Sequence, residues 1–194
     1  MADNNDNNDN NDNNDNSDNI VCVNGKQFVK YITHEQILEQ VHNLGSRISK
    51  DYDGCPLYIV GVLTGSYMFM SDLTKEITLP SYITSMKVSS YEGTTSSNIS
   101  LDIGIKDDIE GKDILIVEDI VDSGKTMEFV LKYIKEKKPN SVQVVSLFVK
   151  PEANIRNIHV EYTGFEIPLK FIVGYGLDYD GYGRNLKDVY QIKE

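Results

Sequence analysis

A short apolar run, Ile114 to Val117, passes straight into the acids Glu118, Asp119 and Asp122 and then into Ser123-Gly-Lys-Thr126, where a helical pattern opens. Met127, Val130, Leu131 and Ile134 recur at the i, i+3, i+4, i+7 spacing of an amphipathic helix, and the run before them has the length and composition of a buried strand. The segment 118–126 is therefore expected to be a loop at the carboxyl end of a strand and the amino end of a helix. Ligands of α/β proteins bind there, because the first N–H groups of a helix lack intrahelical partners and the macrodipole adds partial positive charge. A phosphate suits those amides. Carboxylates beside it would repel the phosphate unless they address something else, such as ribose hydroxyls, a divalent cation or a proton in transit. Together these residue types point to a phosphorylated sugar.

Two nucleotide motifs fail on single residues. Gly124-Lys-Thr126 satisfies the end of a P-loop, but Asp119 stands where its first glycine belongs, which argues against a kinase. Gly174-x-Gly176 is followed by Tyr179 at the third glycine of a dinucleotide fingerprint.

The rest of the chain reads as strands alternating with helices. Thr33-x-x-Gln36 is a capping box, followed by Ile37, Leu38, Val41, Leu44 and Ile48 on one helical face. Pro56 to Leu63 is a second apolar strand, ending at Thr64-Gly65-Ser66, with a helix expected over 67–75. Residues 83–91 and 99–103 predict a hairpin whose tip, 92–98, is rich in Gly, Ser and Thr. Strands are also expected over 141–149 and 171–175. This order gives a parallel sheet covered on both faces, with 64–66 and 118–126 at its carboxyl edge.

Of the 194 residues, 40% are hydrophobic, enough for one domain with a core of its own. Residues 3–18 repeat Asp-Asn-Asn and bury nothing, so 1–19 is expected to be a disordered tail ahead of a single domain at 20–194. Without the tail's six acids the formal charge of −11 becomes about −5, and no basic block occurs, which disfavours nucleic acid as a partner. No basic-then-apolar leader and no apolar run of membrane length stand out, so a cytoplasmic protein with no membrane partner is expected. Cys22 and Cys55, the two cysteines, have no metal-type spacing and fit a reducing compartment.

Val117-Glu-Asp-Ile-Val-Asp-Ser-Gly-Lys-Thr126 resembles the phosphoribosyl pyrophosphate signature of type I phosphoribosyltransferases, and its Glu-Asp form with Asp122 resembles their hypoxanthine-guanine branch. Gly61-Val-Leu-Thr-Gly-Ser66, the segment 89–97, Leu147-Phe-Val-Lys150, Gly164-Phe-Glu-Ile-Pro168 and the run from Lys170 to Tyr179 agree with that branch, in order, from about residue 20 to residue 194. The resemblance implies an α/β core with a parallel sheet, a flexible hairpin lid and a small C-terminal hood. It implies transfer of a phosphoribosyl group to hypoxanthine or guanine in purine salvage, with Mg²⁺ as cofactor and a homodimer or homotetramer as the assembly. A non-catalytic nucleotide-sensing regulator on the same fold is the alternative. Such a protein has no need to retain Asp122, Lys150 and Asp178 together.

Site roles follow from the same resemblance. The amides and hydroxyls of Asp122, Ser123, Gly124, Lys125 and Thr126 would hold the 5′-phosphate, and Glu118 and Asp119 the ribose hydroxyls, directly or through Mg²⁺. Asp122 would be the general base for the purine N7 proton, a role compatible with capping the helix. Lys150 would donate to O6 and so select 6-oxopurines, although a lysine at a strand end more often reaches for solvent. Lys170, Phe171 and Ile172 would complete the purine site. Asp178 would serve the purine side and a second Mg²⁺, while Thr64, Gly65 and Arg184 would attend pyrophosphate. Thr64 departs from the basic residue many members carry, and the 64–66 loop often contains a non-proline cis peptide. Ser90 and Tyr91 would belong to the lid that excludes water.

Overall fold

The computed structural model describes residues 19–92 and 97–193, so the expected disordered tail, apart from Asn19, and the centre of the lid tip lie outside the described residues. Thirteen elements follow in order: β1 (Ile20–Val23), β2 (Lys26–Ile32), α1 (His34–Asp51), β3 (Leu57–Leu63), α2 (Tyr67–Glu76), β4 (Ser81–Glu92), β5 (Ser97–Ile103), β6 (Asp113–Val121), α3 (Lys125–Lys135), β7 (Ser141–Val149), β8 (Tyr162–Glu166), β9 (Ile172–Val173) and β10 (Val189–Ile192). The main sheet has the order β5-β4-β3-β6-β7-β8 and is parallel except for β5, which returns antiparallel along β4.

Alternation along the central strands separates two cores. Leu57 and Ile59 of β3 and Leu115 and Val117 of β6 face α1 and α2. Tyr58, Val60, Ile114 and Ile116 face α3, where they meet Met127, Val130 and Ile134. Burying each such side chain contributes about 1.5–3 kcal/mol, and these strands are apolar on both faces because both are covered.

The α1 capping box is present: Gln36 N–H donates to Thr33 Oγ1, and Thr33 N–H to the Gln36 side chain. Ile37, Val41, Leu44 and Ile48 are buried, but Leu38 is 41% exposed. It sits only one residue from Ile37, about 100° round the helix, and so falls off the core stripe.

One expectation about the sheet is corrected. The run 171–175 does not enter the parallel sheet. Only Ile172 and Val173 are strand, paired antiparallel with β10 in a separate sheet of order β1-β2-β10-β9, and Gly174 at φ +102° ends it. The place beside β7 is taken by β8, a short edge strand whose Tyr-Thr-Gly-Phe-Glu sequence has no continuous apolar run. The small sheet forms the hood, resting on its own cluster of Val23, Phe28, Val173 and Tyr190.

Asp188 fastens the hood to α1. It is 3% exposed and accepts from His34 N–H at 2.8 Å, from Lys30 Nζ at 3.2 Å and from the Tyr190 hydroxyl at 3.3 Å. His34 is the first residue of α1, so the carboxylate also answers the helix dipole. Burial works to raise the Asp188 carboxyl, but the bonds from His34 and Lys30 outweigh it and the net shift is downward. Stability from a lowered carboxyl is present above its ordinary value of 3.8 and is lost as pH falls through the folded value. Asp188→Asn is expected to cost about 1–3 kcal/mol at neutral pH, by urea unfolding, with the difference shrinking in acid. An unchanged unfolding midpoint would show that the hood is held without it.

Candidate active site

Strand β6 runs on to Val121, so Glu118 and Asp119 stand in the strand rather than in the expected loop. Their neighbour β7 keeps pairing as far as Val121 with Val149, which carries the acids into the sheet's carboxyl edge. The loop proper shrinks to residues 122–124. Helix α3 begins at Lys125, capped by Gly124 at φ +80°, with no side-chain cap. Asp122 is thus not the helix cap. A methyl group on Gly124 would lie 2.8 Å from both Asn154 Oδ1 and Ile158 Cγ1, so glycine serves both the left-handed turn and the close wall.

A cavity of about 420 Å³ opens above this edge. Its lining unites Gly65, Glu118, Asp119, all of 122–126, Asp178 and Arg184, residues drawn from three separated stretches of sequence. Val88, Ser89 and Ile99 of the β4–β5 ribbon close one side; Ser89 begins the segment 89–97 expected to be the lid, whereas Val88 and Ile99 lie outside the expected site residues. Ser90 and Tyr91 pair through their backbones with Ile99 and Asn98, and their side chains lie outside the described residues.

Glu118 and Asp119 are each 8% exposed, and Glu118 Oε2 is buried with no hydrogen-bond partner. Burial, and then the neighbouring Asp119 charge, pushes the Glu118 carboxyl well above the usual carboxylate range. Burial raises Asp119 as well, against hydrogen bonds from Glu118 and the Ile120 N–H. Two adjacent buried acids with a spare oxygen form a receptor for hydroxyl donors or for a cation. Among the described residues, no cluster of three or more His, Cys, Asp or Glu side chains is arranged to hold a metal by itself.

Lys150 is also buried, and its Nζ donates to Asp122 Oδ2 at 2.8 Å, so it does not reach into solvent. The candidate base and the candidate purine-selecting ammonium are thereby brought together, although Lys150 does not line the cavity. Arg184 pairs with Asp178 at 2.6 Å and donates to the Gly176 carbonyl at 2.7 Å, while Gly181 N–H donates to the other Asp178 oxygen. Both Asp178 oxygens are therefore engaged, unlike those of Glu118. The Leu63–Thr64 peptide is cis, Thr64 is exposed, and a methyl group on Gly65 would overlap the Asp119 carboxylate. Phe171, 43% exposed, lies on the hood with its ring edge-on to Tyr179 at 5.6 Å. Ile172 is buried in β9 and Lys170 exposed just before it; none of the three lines the cavity.

A parallel sheet with a helix-opening turn and a buried acid pair at its carboxyl edge defines an α/β protein whose cavity lies over the sheet's carboxyl edge. Residues 30–180 match the phosphoribosyl transferase domain. The hypoxanthine-guanine phosphoribosyltransferase of Staphylococcus aureus strain Mu50 is 44% identical over 165 residues, covering 84% of this chain and 92% of the relative. That of Dictyostelium discoideum is 42% identical over 168 residues, covering 84% and 93%. A crystal structure of a hypoxanthine phosphoribosyltransferase from Staphylococcus aureus superposes with a TM-score of 0.81 at 41% identity, covering 84% of this chain and 90% of the other. The chain belongs to the phosphoribosyl transferase family and, within it, to the hypoxanthine-guanine phosphoribosyltransferases.

Proposed function

We propose that this cavity transfers the 5-phosphoribosyl group of phosphoribosyl pyrophosphate to hypoxanthine or guanine, releasing pyrophosphate, as a transferase of purine salvage. One observation carries the site assignment: the turn that opens α3 and the buried pair Glu118–Asp119 share one cavity with Arg184. The amides of 123–126 suit the 5′-phosphate, with the Ser123 and Thr126 hydroxyls beside them. Glu118 and Asp119 accept the ribose hydroxyls, and their charge favours positive charge developing on the sugar ring in the transition state. Thr64 and Gly65 offer backbone, and Arg184 its guanidinium, to pyrophosphate.

Asp122 takes the N7 proton while N9 of the purine attacks, and Lys150 turns from Asp122 towards O6. Adenine presents an amino group at that position, which leaves the ammonium without an acceptor and is how the site rejects it. The exposed Phe171 ring suits stacking on the purine, with the Ile172 backbone and Lys170 at its edge.

The spare Glu118 oxygen and Asp119 fit Mg²⁺, which keeps several waters and takes few protein ligands. Bound there, the ion would neutralise charge on the diphosphate leaving group. Asp178 fits a second ion less directly, since Arg184 and Gly181 already hold it. The assembly in this reading is a homodimer or homotetramer. Exposed free Cys22 and Cys55 fit the cytoplasm, and no described helix is long and apolar enough to cross a membrane.

The test is to supply Mg²⁺, phosphoribosyl pyrophosphate and, in turn, hypoxanthine, guanine, xanthine and adenine, and to follow nucleoside monophosphates. Turnover of hypoxanthine and guanine without adenine is expected. Turnover of adenine alone would overturn the Lys150 assignment.

A further inference from the structure

Tyr175 lies outside every role assigned above, yet it is buried at 2% exposure in the core cluster that includes Leu177 and Val189. Its backbone is left-handed, φ +49°, between Gly174 at +102° and Gly176 at +100°. Such a conformation is unfavourable for a non-glycine residue and is kept only where surrounding contacts demand it. Here they do. Tyr175 N–H donates to the Leu186 carbonyl at 2.7 Å, and Gly176 N–H to the Arg184 carbonyl at 3.0 Å. The phenol reaches away from the hood and donates to Asp72 Oδ2 at 2.6 Å, on the helix that follows the 64–66 loop.

This bond ties together two backbones that nearly touch. A methyl group on Gly176 would overlap the Gly65 carbonyl, and one on Gly65 would overlap Asp119. Gly176 in turn presents the carbonyl on which Arg184 is seated. Lys75 holds the other Asp72 oxygen at 2.7 Å, so the acceptor is itself fixed. Burial and the Asp72 charge push the phenol upward, and it stays a donor at any working pH.

We infer that Tyr175, through its bond to Asp72, is a positioning residue that sets the 176–184 hood loop against the 64–66 loop and so holds Arg184 where pyrophosphate binds. The inference rests on the proposed transfer reaction and adds to it a device specific for the diphosphate end of the substrate. The purine end, at Lys150 and Phe171, shares none of these bonds.

The experiment compares Tyr175→Phe, Asp72→Ala, Asp72→Asn and the Tyr175→Phe/Asp72→Ala double variant with the wild type. Tyr175→Phe is expected to raise the KM for phosphoribosyl pyrophosphate and the Ki for pyrophosphate about 5- to 20-fold, less than the full effect of one lost bond to a charged acceptor because the loss reaches Arg184 only through the loop. The KM for hypoxanthine and kcat should stay within about two-fold of wild type. Asp72→Asn, which keeps an acceptor, should restore most of the affinity lost in Asp72→Ala, and the double variant should be no worse than either single one. Backbone amides of 174–177 should exchange with deuterium faster in Tyr175→Phe. A lower melting temperature with unchanged KM and Ki, or a fall in kcat alone, would overturn the inference and leave Tyr175 a packing residue. A wild type that makes no nucleotide from any base would sink the functional reading instead. Unchanged exchange in Tyr175→Phe would overturn the fastening whatever the activity.

Discussion

Asp122→Asn is expected to lower kcat by about 10²–10⁴-fold while the protein stays folded, the range typical for removing a general base. Asparagine matches the carboxylate in shape and still offers Lys150 an oxygen at the 2.8 Å position, but it cannot take a proton. The Asp122 side chain is half exposed, so losing its charge costs stability only about 0.5–1 kcal/mol. Single-turnover rates, read beside circular-dichroism melting, separate the two effects. Unchanged turnover would sink the assignment of Asp122 as base, and the proton from the purine would then have to leave by water.

Glu118→Gln should act in opposite directions on activity and stability. Activity is expected to fall about 10²–10³-fold, because a preorganised charge beside the developing cation is lost. Stability in metal-free buffer should rise relative to wild type, and the sign follows from linkage. The folded carboxyl titrates above its ordinary value of 4.5, so the folded state prefers the protonated form. Wild-type stability from this group is greatest below that ordinary value and declines as pH rises towards the folded one. Glutamine carries no such penalty, and the difference between variant and wild type should widen from acid to neutral pH in urea unfolding. A difference that stays constant with pH would mean that Glu118 is not the strained acid of the pair. Trading stability for a functional charge in this way is common at active sites.

Local pattern made the core strands and helices legible. β7 was expected over 141–149 and is found there, and the capping box at Thr33 starts α1. The reason is that burial on both sheet faces writes continuous apolar runs, and a helix with one covered face writes a 3.6-residue period. Edge and hood elements left no such mark. β8 is short and half exposed, and the apolar Ile172-Val173 would suit either sheet. Only its pairing with Tyr190 and Gln191, far along the chain, assigns it to the hood.

The candidate site divides on the same line. Sequence alone determined the Ser-Gly-Lys-Thr turn, the acids that precede it and the strand-turn-helix order around them, because neighbours along the chain specify these. Tertiary structure decided that Glu118 and Asp119 are buried in the strand, that Lys150 meets Asp122, that Arg184 meets Asp178, and that Tyr175 reaches Asp72. Burial and ion pairing depend on which distant segments converge, and a carboxylate's surroundings, not its identity, fix its proton and its partner.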